Sequence, residues 1–320
     1  MLKRFKSFIS IMMVLLFVVS YCSFNVNAAG SQNGPANVRQ TAATAKGVVA
    51  LSWDKVTGAA KYKVEWKVGT YSRTKTVTKT VANITGVNPG KEANVTVSAI
   101  DDKNTVISSS SCTALGVPKT TSQPVADSVI ACNKRVQLKW DADKTATGYE
   151  VQISTLSDKK IKTYKVKKNK LDQKINGIAT AGYKVKIRTY REIKNKIVRN
   201  GQTINKTVTL YGKWCGTRTF VPQCNVTSET LEIYPSETYY SFKGIANAVN
   251  YKVYVVDDVE NREFTEIMTI PGNQHSFSSD EISDGDKVVV LPVVKVNGKT
   301  YSSNVLNKKF VNNFEYCQVK

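Results

Sequence analysis

Val49-Ala50-Leu51-Ser52-Trp53 is followed, nine positions beyond its tryptophan, by Tyr62-Lys63-Val64. The interval recurs twice. Val136-Gln137-Leu138-Lys139-Trp140 stands nine positions ahead of Tyr149-Glu150-Val151, and in the last third Tyr240-Ser241-Phe242 stands nine ahead of Tyr251-Lys252-Val253. Each copy reads as two strands with inward side chains at every second position, joined by a turn rich in Gly, Ala, Asp or Asn, so that its two aromatics face one core. Further alternating runs follow each copy, at Ala93 to Ile100, Tyr183 to Tyr190 and Val288 to Val296. No sustained 3.6-residue apolar period follows the N-terminal region. The pattern predicts an all-β chain built from three tandem modules.

The residues resemble fibronectin type III domains. The resemblance rests on Trp53 and Trp140 in the second strand, Tyr62 and Tyr149 in the third, and the Asn88-Pro89-Gly90 turn ahead of the sixth. Gly182-Tyr183-Lys184-Val185 at the start of the sixth strand and Tyr211-Gly212-Lys213-Trp214 at the opening of the seventh add to it. It is strong for the first two modules and weaker for the third, where Phe242 replaces tryptophan and Lys287 stands at the usual sixth-strand tyrosine. In the first module Ala93 takes that tyrosine's place. The resemblance implies immunoglobulin-like β-sandwiches placed in tandem as a rod. The expected modules are 34–117, 118–221 and a divergent 222–311, with a tail at 312–320. Val117-Pro118 and Val221-Pro222 leave short, proline-bearing connections that favour stiffness.

The N-terminus carries Lys3, Arg4 and Lys6, an apolar run from Phe8 through Phe24, and then Val26-Asn27-Ala28. That order predicts a signal peptide spanning 1–28, with the rest of the chain expected outside the cell. Its strongest apolar stretch, Ile11 to Val19, is short against the roughly 20 residues of a spanning helix. No later run is long enough to span, so no membrane helix is expected after cleavage.

Charge separates the modules. The first carries 11 Lys plus Arg against 5 acids, the second 23 against 7, and residues 222–320 carry 9 against 13. Strand alternation turns Lys184, Lys186 and Arg188 outward if Tyr183, Val185 and Ile187 point in. Lys160, Lys162, Lys165, Lys167 and Lys168 fall on the neighbouring edge segment. Lys194, Lys196 and Arg199 rise on an insertion, Arg191 to Val208, which an Asn200-Gly201 pair should close into a projecting hairpin. Together they predict a cationic strip able to meet an anionic polysaccharide or cell-wall polymer; nucleic acid is disfavoured outside a cell. Lysine on an edge strand also suppresses sheet-to-sheet aggregation, which is the competing explanation.

Catalytic constellations are missing from the sequence. His275 is the single histidine, no nucleophile elbow surrounds any serine, and no Gly-rich phosphate loop occurs. Acids at Asp280, Glu281, Asp284 and Asp286 fit no EF-hand spacing, so neither a metal nor a cofactor is expected. Five cysteines remain after Cys22 is removed with the signal peptide, an odd number for an oxidising compartment. In a rod the far end of the second module meets the start of the third, which makes Cys132 with Cys224 the candidate disulfide and Cys132 with Cys215 the second choice. Trp53, Trp140 and Trp214 are expected as packing residues, with Trp66, Tyr71 and Tyr164 as surface aromatics. Two non-enzymatic roles stay open: a secreted binding or adhesion protein using the basic module, and a structural spacer or accessory subunit making contacts with an extracellular protein partner.

Overall fold

The structure is a computed structural model that describes residues 34–131, 134–178, 181–231 and 237–319. The expected signal peptide and Cys132 lie outside the described residues. The first sandwich contains β1 (Arg39–Ala43), β2 (Val49–Ser52), β3 (Lys61–Val68), β4 (Tyr71–Val77), β5 (Val81–Ile84), β6 (Glu92–Ile100) and β7 (Val106–Leu115). One of its sheets has the order β1-β2-β5 and the other β4-β3-β6-β7, all antiparallel.

The second sandwich repeats this plan with β8 (Val125–Ala126), β9 (Arg135–Lys139), β10 (Gly148–Thr155), β11 (Lys160–Val166), β12 (Lys170–Lys174), β13 (Tyr183–Arg199), β14 (Gln202–Tyr211) and β15 (Arg218–Phe220). Its sheets are β8-β9-β12 and β11-β10-β13-β14, with β15 pairing the start of β13. The third contains β16 (Val226–Leu231), β17 (Glu237–Phe242), β18 (Ala248–Asp258), β19 (Glu263–Pro271), β20 (Ser276–Phe277), β21 (Lys287–Val296), β22 (Lys299–Ser302) and β23 (Cys317–Gln318). Its sheets are β16-β17-β20 and β19-β18-β21-β22, with β23 pairing the start of β21.

The nine-residue interval has one geometric meaning in all three sandwiches. Ring centroids lie 5.4 Å apart for Trp53 and Tyr62, 5.4 Å for Trp140 and Tyr149, and 4.7 Å for Phe242 and Tyr251, each pair edge to face. That is the arrangement the ring quadrupole favours. The tyrosines are not interchangeable with phenylalanine. Each hydroxyl accepts a hydrogen bond from the backbone N–H six residues earlier: Val56 at 2.9 Å, Asp143 at 2.8 Å and Ile245 at 2.8 Å. The amide ahead of the third strand, buried in the first and third copies and half-buried in the second, is thereby satisfied.

The second and third sandwiches differ from the first in their last strand. β14 and β15 divide one edge position between them, as do β22 and β23, and in both cases the residues beyond a simple edge strand fold back toward the preceding sandwich. The hairpin β13–β14 closes through Asn200 and Gly201, both at positive φ (49° and 74°), the backbone a two-residue hairpin loop of matching twist requires. It does not project freely. Ile193 and Leu210 pack with Leu115 and Val117 of the first sandwich, beside Ala43 and Ala45. Gly212 follows where the chain passes closest: a Cβ there would fall 2.8 Å from the Pro118 carbonyl oxygen.

The segment expected as a tail is not one. Asn312 and Asn313 donate their backbone N–H groups to the carbonyls of Ala126 and Asp127 at 2.8 and 2.7 Å, and Phe310 accepts from the Ala126 N–H at 2.9 Å. Val319 is buried in the third core. Residues 303–316 leave the third sandwich after β22, run along the edge of β8, and return as β23. Val305 and Val311, both fully buried, join a cluster that contains Trp140, Phe220, Tyr254 and Leu291. One apolar core therefore spans two sandwiches.

Candidate functional site on the outer face of the second sandwich

Alternation along β13 places Lys184, Lys186 and Arg188 on the outer face, with β10 supplying Glu150, β11 supplying Lys165, and the residues around β14 supplying Tyr211 and Trp214. These groups hold one another. Arg188 donates from Nε to Glu150 Oε2 at 2.7 Å, and its Nη2 lies 2.6 Å from the same oxygen. The Arg188 guanidinium carbon stands 4.0 Å from the Tyr211 ring centroid and 4.6 Å from that of Trp214. The Lys186 ammonium sits 4.9 Å from the same Trp214 ring. Lys165 covers Tyr190 and Tyr211 at 5.4 and 5.7 Å, and approaches Glu150 at 3.7 Å.

This is a ladder in which cations alternate with rings around one buried acid. Glu150 is 7% exposed, so its charge depends on Arg188 for compensation. The hydrogen bond to the Tyr211 hydroxyl raises the Lys165 pKa above its ordinary value. Lys184, whose side chain is 12% exposed, donates to both Asp158 carboxylate oxygens at 2.8 and 2.9 Å. Burial is the largest single influence and opposes its charge, but the Asp158 hydrogen bond together with the Tyr301 and Asp158 charges raises its pKa; the same bond lowers the Asp158 carboxyl. Lys184 also lies 5.7 Å from the Tyr301 ring, so this end of the face meets the third sandwich.

The candidate bases thus divide into three places. Lys165, Lys184, Lys186 and Arg188 belong to the ladder. Lys160, Lys162, Lys167 and Lys168 are exposed along β11 and the turn after it, Lys162 lying 5.1 Å over Tyr164. Lys194, Lys196 and Arg199 are exposed on the hairpin. The strip is not continuous, because Tyr190 and Glu192 stand between Arg188 and Lys194 on the same side of β13.

Opposite the exposed hairpin bases, the alternate residues of β13 form the contact with the first sandwich. Asn195 Nδ2 donates to the Gln40 carbonyl at 2.9 Å. The Asn37 amide bonds both sides of one residue: its Nδ2 donates to the Val198 carbonyl at 2.9 Å and its Oδ1 accepts from the Val198 N–H at 2.8 Å. The side chain stands in for a paired strand. Lys, Asn and Arg dominate the hairpin and suggest a projection, whereas the alternation Ile193, Asn195, Ile197 is the sequence signal of a face that docks.

Other expected residues also moved. Trp66 is buried, its Nε1 donating to the Thr85 carbonyl at 2.9 Å, whereas Trp214 lies half-exposed in the ladder. Cys224 and Cys215 are buried free thiols, and Cys132, the partner expected for either, lies outside the described residues. Among the described residues no three of His, Cys, Asp and Glu converge as a metal site. Asp286 instead accepts from the Ser283 N–H at 2.7 Å, closing its own turn.

No protein-family model matches the chain, and no curated protein matches it. Solved structures similar to it are fibronectin type III domains. The fn3 domain of the human collagen alpha-1(XX) chain is 20% identical, with 30% of this chain and 93% of that one covered, at a TM-score of 0.25. The FN1–FN3 domains of chicken CNTN1 are 14% identical over 84% of this chain and 96% of that one, at 0.23. A two-domain fibronectin type III segment of chicken tenascin is 11% identical over 55% and 99%, at 0.27.

Proposed function

We propose that the chain is an exported, non-catalytic spacer that holds three sandwiches at fixed separation and orientation in an extracellular assembly. The observation that carries this reading is the construction of its junctions: residues 191–211 fold back onto the first sandwich and residues 303–316 onto the second. A flexible array has no use for either insertion, since short proline-bearing links would suffice to join the modules. Small-angle scattering tests it. The radius of gyration and maximum dimension should stay constant between low and high salt, and deletion of the hairpin tip, 194–207 replaced by Asn-Gly, should increase both. Dimensions that already vary with salt in the intact protein would contradict the spacer reading.

Docking to an anionic wall polymer or polysaccharide is the second reading, favoured by one specific observation. Lys160, Lys167, Lys168, Lys196 and Arg199 are exposed and have no carboxylate within salt-bridge distance among the described residues. Replacing Lys160, Lys162, Lys167 and Lys168 by Glu should abolish salt-sensitive retention on a heparin column. Flow-through of the unaltered protein at low salt would remove this reading and leave the spacer intact.

A further inference from the structure

The first sandwich has a groove where its two sheets part, beside the Asn88-Pro89-Gly90 turn that bonds Val117. β3 and β4 are joined by Gly69-Thr70, which puts Val68 opposite Tyr71 and Trp66 opposite Arg73, all four on the side facing the segment that follows β5. That segment contributes Thr85, Gly86 and Asn88, and the groove between them holds about 250 Å³. This is below the roughly 300–1,000 Å³ of pockets that take drug-sized molecules, and suits a single ring with its substituents.

The walls differ in chemistry. Tyr71 is 77% exposed, an aromatic ring standing at the rim with no role in the core. The floor is the buried Trp66, fixed by its hydrogen bond to Thr85. Arg73 is held by one donor, Nη1 to Thr85 Oγ1 at 3.0 Å, and its guanidinium carbon lies 3.7 Å from where a Cβ on Gly86 would stand. Gly86 has φ of +84°, so no side chain is readily placed there. No carboxylate among the described residues pairs with Arg73. A guanidinium held at one nitrogen keeps other N–H donors, a fork matched to a carboxylate.

We propose that this groove binds one carboxylated pyranose residue of an acidic glycan. The C–H face of the sugar lies on Tyr71, the carboxylate takes the remaining Arg73 donors, and the Asn88 amide reaches a hydroxyl. Neutral sugars lack the partner for Arg73, and a bare carboxylate lacks the ring for Tyr71. The site is on a different sandwich from the exposed lysines and does not depend on either reading given above.

The test is a titration of the full-length mature protein with methyl glucuronide, followed by amide chemical shifts. Shifts should concentrate at Tyr71, Arg73, Gly86 and Asn88. Arg73→Ala should weaken binding about tenfold or more, the loss expected for hydrogen bonds to a charged group. Tyr71→Ala should weaken it several-fold, and both exposed substitutions should leave the melting temperature in place. Methyl glucoside producing the same shifts, acetate alone producing them, an unchanged affinity in Arg73→Ala, or no shift at saturating probe would each overturn the assignment.

Discussion

At the first junction a hairpin lies against its neighbour while keeping its own backbone pairing. At the second, a segment with little regular structure lends its backbone to the edge of the sandwich before it. The hairpin β13–β14 is complete in itself from Tyr190–Tyr211 to Arg199–Gln202, and it reaches the first sandwich through side chains: Asn195, the amide of Asn37, and the small cluster around Ile193 and Leu210. Residues 310–313 instead bond Ala126 and Asp127 main chain to main chain, and Val311 enters the core beneath. The link residue Gln223 adds to this, bonding Val129 and Ala131 through its backbone and Glu315 through both ends of its amide. The first contact is an addition to a finished sandwich. The second is part of how the sandwich is finished.

That difference sets the expected size of each perturbation. Val311→Asp places an unpaired charge in the shared core and should cost about 3–5 kcal/mol, with both the second and third sandwiches melting early. Calorimetry or domain-resolved hydrogen exchange reads this, and destabilisation confined to the third sandwich would show that the segment is not part of the second. At the other junction Ile193→Ala should cost about 2–4 kcal/mol by removing a buried side chain from the small cluster. Amide exchange should rise around Asn37 to Ala43, while the third sandwich is unaffected. Exchange that stays slow in β1 would mean the hairpin contributes nothing to that contact.

Legibility in the sequence followed periodicity. The three aromatic pairs stood out because strands impose a fixed alternation and a sandwich needs one large pair across its core. The hairpin and its Asn-Gly turn were readable for the same reason. Its docking was not, because alternation says that Ile193 and Ile197 share a face without saying what lies opposite. Residues 303–316 carry Val305, Phe310, Val311 and Phe314 at no regular interval, so nothing distinguished them from a loop and a tail. The outer face was half legible. Alternation sent Lys184, Lys186 and Arg188 outward, but the Asp158 that pairs Lys184, the Glu150 that pairs Arg188 and the Trp214 ring beside Lys186 and Arg188 are brought near only by the fold.

Smaller effects sharpen the contrast through groups that report on local opening. Burial pushes the Cys112 thiol up to about 12 and the Cys224 thiol higher still. Both should resist iodoacetamide at pH 8 in the folded protein, since the thiolate is the reacting form. Cys224 lies where Gln223 binds the second sandwich and donates its own N–H to Val290, so Val311→Asp should expose it while leaving Cys112 protected. Equal labelling of the two would mean that one opening event frees both.

The smallest effect lies on the outer side of β18 and β19, beside Tyr254 of the shared core. The Lys252 ammonium, bonded to Glu266 at 2.8 and 3.1 Å, holds that carboxyl below the usual range, and the Tyr254 and Thr269 hydroxyls assist. A lowered carboxyl contributes stability that is present above the unfolded pKa of about 4.3 and is lost as pH falls through the folded value. Glu266→Gln should therefore lower the melting temperature slightly at neutral pH and flatten its fall below about pH 4.3, where the two proteins converge. An NMR titration midpoint at or above the ordinary glutamate value would contradict it.

Stiffness at both junctions is most directly measured by pulsed dipolar spectroscopy, with spin labels placed through non-natural residues on the exposed strands of each sandwich so that the native cysteines stay untouched. Both the first-to-second and second-to-third distance distributions should be single and narrow in the intact protein. Deleting the hairpin tip should broaden only the first of them. Broad distributions in the intact protein at either junction would contradict the reading of this chain as a spacer of fixed geometry.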